Sequence, residues 1–169
     1  MRVLFLDIDG VLVTDIPGWF RQPLLQNLWT VVQATGAKVV LSSDWRRSLQ
    51  ARVYSRAVLT FYGAGYIACT PCLPHFPLQR PHEILRWKEE YEGQPGNEPL
   101  VNWVAVDDRD LLQENRGLLL AGHFVRTNPA EGLTEEKAQE CIRILTEKPE
   151  VPAEVSAGVP SESVGQSHI

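Results

Sequence analysis

Cysteine is scarce in this 169-residue chain. Cys69, Cys72 and Cys141 are the only three, too few and odd in number for the disulfide framework of a small secreted domain. They favour a reducing compartment. No uninterrupted apolar run approaches the roughly 20 residues of a membrane span. The start, MRVLFLDIDGVLV, is basic then apolar like a secretory leader, but Asp7 and Asp9 break the run and no small-residue cleavage site follows. A cytoplasmic protein with no membrane partner is expected. Basic charge is also short: 16 Lys and Arg stand against 21 Asp and Glu, for a net charge of −5. That excludes the broad positive field of a non-specific nucleic-acid coat and leaves room for a local basic patch. Internal repeats are absent. What is present, 44% hydrophobic and 22% charged residues, is ordinary for a globular domain with a real core.

The segment 149–169, PEVPAEVSAGVPSESVGQSHI, has no Lys, Arg or aromatic residue. It cannot bury enough apolar area to offset its ordering entropy, and a disordered tail is expected behind a folded domain of residues 1–148. Glu150, Glu154 and Glu162 place over half of the net charge in that tail. The folded part alternates strand-like and helix-like segments. Strands are expected at 2–6, 38–41, 66–69, 101–106 and, more weakly, 123–125. Helices are expected from Pro23 to a stop at Gly36, from Trp45 to about Val58, from Pro81 through Ile84, Trp87 and Tyr91, and after a Thr134 cap. This alternation predicts an α/β fold, a five-stranded parallel sheet with helices on both faces.

The most informative residues are Asp7-Ile8-Asp9-Gly10-Val11. In open parallel sheets ligands bind at the carboxyl ends of the strands, where Asp7 and Asp9 fall. One acid before a glycine is an ordinary turn. Two acids after a buried strand call for pairing or a metal. The pattern fits phosphoryl transfer. One carboxylate attacks phosphorus to form an acyl phosphate, and a divalent cation offsets its repulsion from the phosphate. A second acid protonates the leaving oxygen and then activates water.

LDIDGVL resembles the first motif of the haloacid dehalogenase (HAD) superfamily, mostly Mg²⁺-dependent phosphatases. The resemblance implies three further motifs. The second is a hydroxyl ending the second strand, matched by Ser42 and Ser43; Ser42 directly follows the apolar run, and Ser43 or Asp44 also suits a helix cap. The third is a base near the start of the helix before the fourth strand, matched by Arg80, with Arg86 and Lys88 as alternatives deeper in the helix. The fourth is acidic, matched by Asp107 and Asp108, while Asp110 reads as a solvated turn residue. Mg²⁺ would sit among Asp7, a carbonyl of Asp9, and Asp107 or Asp108. The resemblance spans about residues 2–146. Through TGAKVVLSSDWR, RPHEILRW, VAVDDRD and FVRTNPAEGLT it narrows to a small branch of RNA-repair and nucleotide-processing contexts.

The chain between Asp9 and Ser42, and between the helix after the second strand and Arg80, is too short for the cap domain many relatives insert. A capless Rossmannoid three-layer sandwich is therefore expected. Its open site would admit a nucleotide, a nucleic-acid end or another large phosphorylated substrate, or be roofed by a partner subunit. The expected activity is phosphomonoester hydrolysis, with Asp7 as nucleophile, Asp9 as acid and base, and Ser42, Ser43 and Arg80 holding the phosphoryl group. A non-catalytic phosphate-binding module and a phosphotransferase are the alternatives. Trp19 and Phe20 fall where they would edge the site and stack a base, or pack a flap. Arg46, Arg47, Arg52 and Arg56 read as an outer helix face, or as a track for a phosphate backbone. Cys69 and Cys72, with His75 and His82, form a weak zinc pattern; His123 and Cys141 read as packing residues.

Overall fold

A computed structural model describes residues 1–14, 19–73 and 78–147. The expected tail and His75 lie outside the described residues. Strand β1 (Arg2–Leu6) is short and apolar and is buried from Val3 onward. It is followed by α1 (Gln22–Thr35), β2 (Lys38–Leu41), α2 (Leu49–Phe61), β3 (Tyr66–Cys69), α3 (Arg80–Glu92), β4 (Asn102–Asp107), β5 (Phe124–Arg126) and α4 (Glu135–Thr146). The strands pair in the order β3-β2-β1-β4-β5, all parallel.

Alternation along the strands divides the core in two. Leu4, Leu6, Val39, Leu41, Val104 and Val106 face α1, α4 and Leu59 of α2. Val3, Phe5, Val40, Trp103 and Ala105 face Ile84 and Trp87 of α3, with Leu111 and Leu120 beside them. Both sheet faces are therefore covered, as a parallel sheet requires. Helix α1 carries Pro23 in its first turn and buries Leu24, Leu25, Leu28 and Val31 at helical spacing; Gly36, at φ +66°, ends it in the left-handed region. Thr134 caps α4 by accepting from the Lys137 N–H.

One helix differs from the expectation. The stretch from Trp45 to Val58 is broken: Asp44–Arg47 forms a 3-10 turn and α2 begins only at Leu49. Ser48 explains the break. It takes an extended conformation (φ −105°, ψ +129°) and its hydroxyl caps α2 by accepting from the Ala51 N–H. Among the described residues only a turn, α1 and β2 lie between Asp9 and Ser42, and no cap domain covers the strand ends there. No helix among the described residues is long and apolar enough to cross a membrane.

Candidate active site

The carboxyl ends of the strands continue as a hydrogen-bonded row. Asp7 N–H donates to Val106 O (3.0 Å), Ser42 N–H to Leu6 O (2.9 Å), Thr70 N–H to Leu41 O (2.9 Å) and Thr127 N–H to Asp107 O (3.0 Å). Strand order reverses about β1, because β2 and β3 build outward on one side and β4 and β5 on the other. A crevice forms where such an order reverses. Asp7 and Asp107 are neighbours across it.

The turn after β1 shapes the crevice. Ile8 is fully buried and its carbonyl accepts from the N–H groups of Val11, Leu12 and Val13. Asp7 and Asp9 therefore flank an anchored residue. Gly10 sits at φ +68°, and a Cβ there would lie 2.5 Å from Cβ of Asp108. Only glycine allows this turn to pass so close to the acidic end of β4.

Asp7 and Asp107 are buried, and the buried Arg80 lies between them. Arg80 Nη1 is 2.8 Å from Asp7 Oδ2 and 2.6 Å from Asp107 Oδ2; its Nη2 is 3.3 Å from Asp44 Oδ2. Burial works against the Arg80 charge, but Asp7, Asp107 and Asp44 outweigh it and hold the guanidinium firmly protonated. One oxygen each from Asp7, Asp107 and Asp108 lie within 4.8 Å of one another, so the three acids could hold a metal ion. Burial, then repulsion from Asp7, pushes the carboxyls of Asp107 and Asp108 above the ordinary carboxylate range. Asp9 is exposed and also raised, mainly by partial burial. Its Oδ2 accepts a hydrogen bond from Trp45 Nε1 at 2.9 Å, which works the other way.

Ser42 and Ser43 are both buried beside this cluster of elements. Ser43 Oγ accepts from the Trp45 N–H at 3.3 Å and so serves as the cap of the 3-10 turn. Ser42 has no such capping duty. Arg46 corrects the outer-face reading of the arginines: it is buried, with 4% of its surface exposed. Its Nη1 donates to the carbonyls of Ser42 (2.6 Å) and Ser43 (2.7 Å), its Nε donates to Thr70 O (3.2 Å), and its Nη2 pairs with buried Glu83. The neighbouring Arg47 reaches Glu83 Oε1 at 3.2 Å. Glu83 stands three residues after Arg80, on the same face of α3. Sequence reasoning missed Glu83, and it missed Glu114, whose Oε2 accepts from the Arg80 backbone N–H at 3.3 Å. The one available signal was the i, i+3 spacing of Arg80 and Glu83.

The other sequence candidates lie elsewhere. Arg86 is exposed and pairs with Glu90, and Lys88 sits 4.3 Å from the Trp103 ring centroid. Asp110 pairs with Arg126. Trp19 is exposed, whereas Phe20 packs on the core and edge-on to Trp45. Arg52 and Arg56 are exposed on α2. His123 stacks on Trp103, and Cys141 is fully buried, its thiol pushed up to about 12 by that burial. Cys69 and Cys72 are free thiols, and among the described residues the three aspartates are the one cluster with metal-ligand geometry. A cleft of about 490 Å³ opens beside Arg80, lined also by Asp44, Arg47, Glu83 and Arg109. A larger one of about 740 Å³ lies at the opposite, amino end of β4 and β5, around Trp103 and His123, away from the aspartates.

A family model described as "HAD domain in Swiss Army Knife RNA repair proteins" matches residues 3–138. No curated protein matches the chain.

Proposed function

The chain belongs to the HAD-domain family of Swiss Army Knife RNA repair proteins, and from that membership and the site's geometry we propose that it is a Mg²⁺-dependent phosphomonoesterase. The family supports a HAD-type phosphoesterase or phosphotransferase module. One observation carries the finer reading: Asp7, Asp107 and Asp108 cluster, Asp9 adds its charge beside them, and Arg80 pairs directly with Asp7 and Asp107. That balance repels a phosphate dianion unless a divalent cation is present. The three clustered carboxylates are hard oxygen donors and suit Mg²⁺.

Asp7, Asp107 and Asp108 would hold the ion, with the Asp9 carbonyl as a fourth donor. When bound it would offset the repulsion between carboxylate and phosphate. Asp7, steadied by Arg80 at Oδ2, attacks phosphorus, and the bond from phosphorus to the leaving oxygen breaks. Asp9 gives that oxygen its proton. The Asp9 carboxylate then takes a proton from a water whose oxygen attacks the phosphorus. The bond from phosphorus to Asp7 breaks, inorganic phosphate leaves and the Asp7 carboxylate is restored. Ser42 and Arg80 hold the phosphoryl oxygens, while Ser43 shapes the turn beneath them.

The uncovered strand ends and the family's RNA-repair context support a nucleotide or nucleic-acid end as substrate. Phosphate release from an aryl phosphate should require Mg²⁺, stop with chelator and be lost in Asp7→Asn. Turnover should then extend to phosphorylated oligonucleotide ends or mononucleotides. Folded protein inactive on all of these and on phosphopeptides would contradict the hydrolase reading and leave a phosphate-binding module. Phosphoryl transfer to an added alcohol in preference to water would make it a phosphotransferase.

A further inference from the structure

Asp9 is the exposed member of the acid group, and among the described residues one hydrogen bond holds its carboxyl. Trp45 Nε1 donates to Asp9 Oδ2 at 2.9 Å. The indole is itself held. Its backbone N–H is capped by Ser43 Oγ, Phe20 meets it edge-on at 5.5 Å between ring centroids, and Tyr54 stacks on it at 6.3 Å. Phe20 in turn packs on the core. The turn carrying Trp45 is bound by Arg46 to the Ser42 and Ser43 carbonyls. A continuous set of contacts thus runs from the phosphate-binding turn to one oxygen of the acid on β1's following turn.

An indole N–H can donate and cannot accept. The oxygen it binds therefore stays an acceptor, and a proton carried by Asp9 resides on Oδ1. An acid or base must stand within about 2.6–3.2 Å of the atom it serves, and an exposed carboxyl free to rotate is seldom so placed. We propose that Trp45 is a positioning residue for Asp9: it holds Oδ2 and so presents Oδ1 to the leaving oxygen. The role rests on Asp9 being the acid and base of the proposed phosphomonoesterase. In the attack step the Asp7–phosphorus bond forms, the bond from phosphorus to the leaving oxygen breaks, and the Oδ1 proton moves to that oxygen.

The test uses substrates that differ in their need for that proton. A 2,4-dinitrophenyl phosphate expels a stable phenolate, whereas an alkyl phosphate expels an alkoxide that must be protonated. Two variants of the full chain are compared with wild type and Asp9→Asn in Mg²⁺. One is Trp45→Phe. The other carries benzothienylalanine at position 45, which keeps the shape of tryptophan and lacks only the N–H. In both, kcat/KM for the alkyl phosphate should fall about ten- to a hundredfold, the worth of one hydrogen bond to a charged group. The value for the dinitrophenyl ester should stay nearly unchanged, and Asp9→Asn should show the same selectivity more strongly. In the metal-free protein, the indole N–H resonance absent from Trp45→Phe should shift in Asp9→Asn more than those of the other tryptophans. Equal losses on both esters with the isostere, no loss on either, or an unmoved indole resonance would overturn the role. A wild-type enzyme without Mg²⁺-dependent turnover on either ester would instead overturn the phosphomonoesterase reading, and this role with it.

Discussion

Arg80 is the residue on which the buried acids depend. Its Nη1 pairs with both Asp7 and Asp107. Its removal leaves two buried carboxylates facing each other, so Arg80→Met should cost about 3–5 kcal/mol in urea unfolding and lower phosphate release by about 10²–10³-fold. Asp107 gives a pH signature in the metal-free protein. Its folded value is raised to about 7, by burial first and by Asp7 second. A raised acid stabilises the fold below the ordinary carboxylate range, and that contribution is lost as pH rises through the folded value. The metal-free protein should therefore lose stability from about pH 4 to pH 7, with Asp107→Asn showing a flatter slope. Mg²⁺ at the proposed site would bind the ionised acids, so its gain in Tm should grow with pH over the same window. Measuring Tm against pH, with and without Mg²⁺, checks both signs. These acids were legible in the sequence because each follows a short apolar strand. Arg46 was not, because a run of arginines reads as a solvated face, and nothing in the residue order says that three loop carbonyls await the guanidinium.

At the scale of elements, the strands were readable almost to the residue, since β1, β2 and β3 are isolated apolar runs between turns. The break before α2 was not. Trp45 to Val58 has continuous helical composition, and the interruption comes from two caps in a row, Ser43 on the 3-10 turn and Ser48 on α2. The tie between the Ser42 turn and α3 is the buried pair Arg46–Glu83. Glu83→Gln leaves Arg46 buried against a neutral partner and should lower the urea midpoint, with a cost of about 3 kcal/mol or more. The double variant Arg46→Met, Glu83→Leu should recover part of it. Gly10 is the matching constraint on the β1 turn. Gly10→Ala should cost about 1–2 kcal/mol from its left-handed backbone alone. It should also weaken Mg²⁺ binding, read by titration calorimetry, because the new methyl group displaces Asp108.

For the whole molecule, the absence of a folded unit above the strand ends among the described residues goes with a chain of net negative charge. Of the four arginines that suggested a phosphate track, Arg46 is buried and Arg47 is paired to Asp44 and Glu83. Recognition of a nucleic-acid substrate would then rest on its terminal phosphate and few others. For phosphorylated oligonucleotides, kcat/KM should fall by less than about tenfold between about 50 and 200 mM salt, against the far steeper loss of a protein that grips six or more phosphates. The parallel α/β architecture, and the lack of a cap among the described residues, were legible from strand spacing and segment length. The larger cleft at the amino ends of β4 and β5 was not, because it forms where Trp103, His123 and the end of α4 meet from distant parts of the chain.

In the proposed reaction the phosphoryl group passes through the Asp7 carboxylate. Acid-quenching the enzyme during turnover of an aryl phosphate, followed by peptide mass spectrometry, would trap and locate that adduct. A Mg²⁺-dependent phosphoryl adduct is expected on Asp7, more abundant in Asp9→Asn, where water is poorly activated, and absent in Asp7→Asn. Undiminished turnover in Asp7→Asn, or an adduct on a different residue, would contradict it.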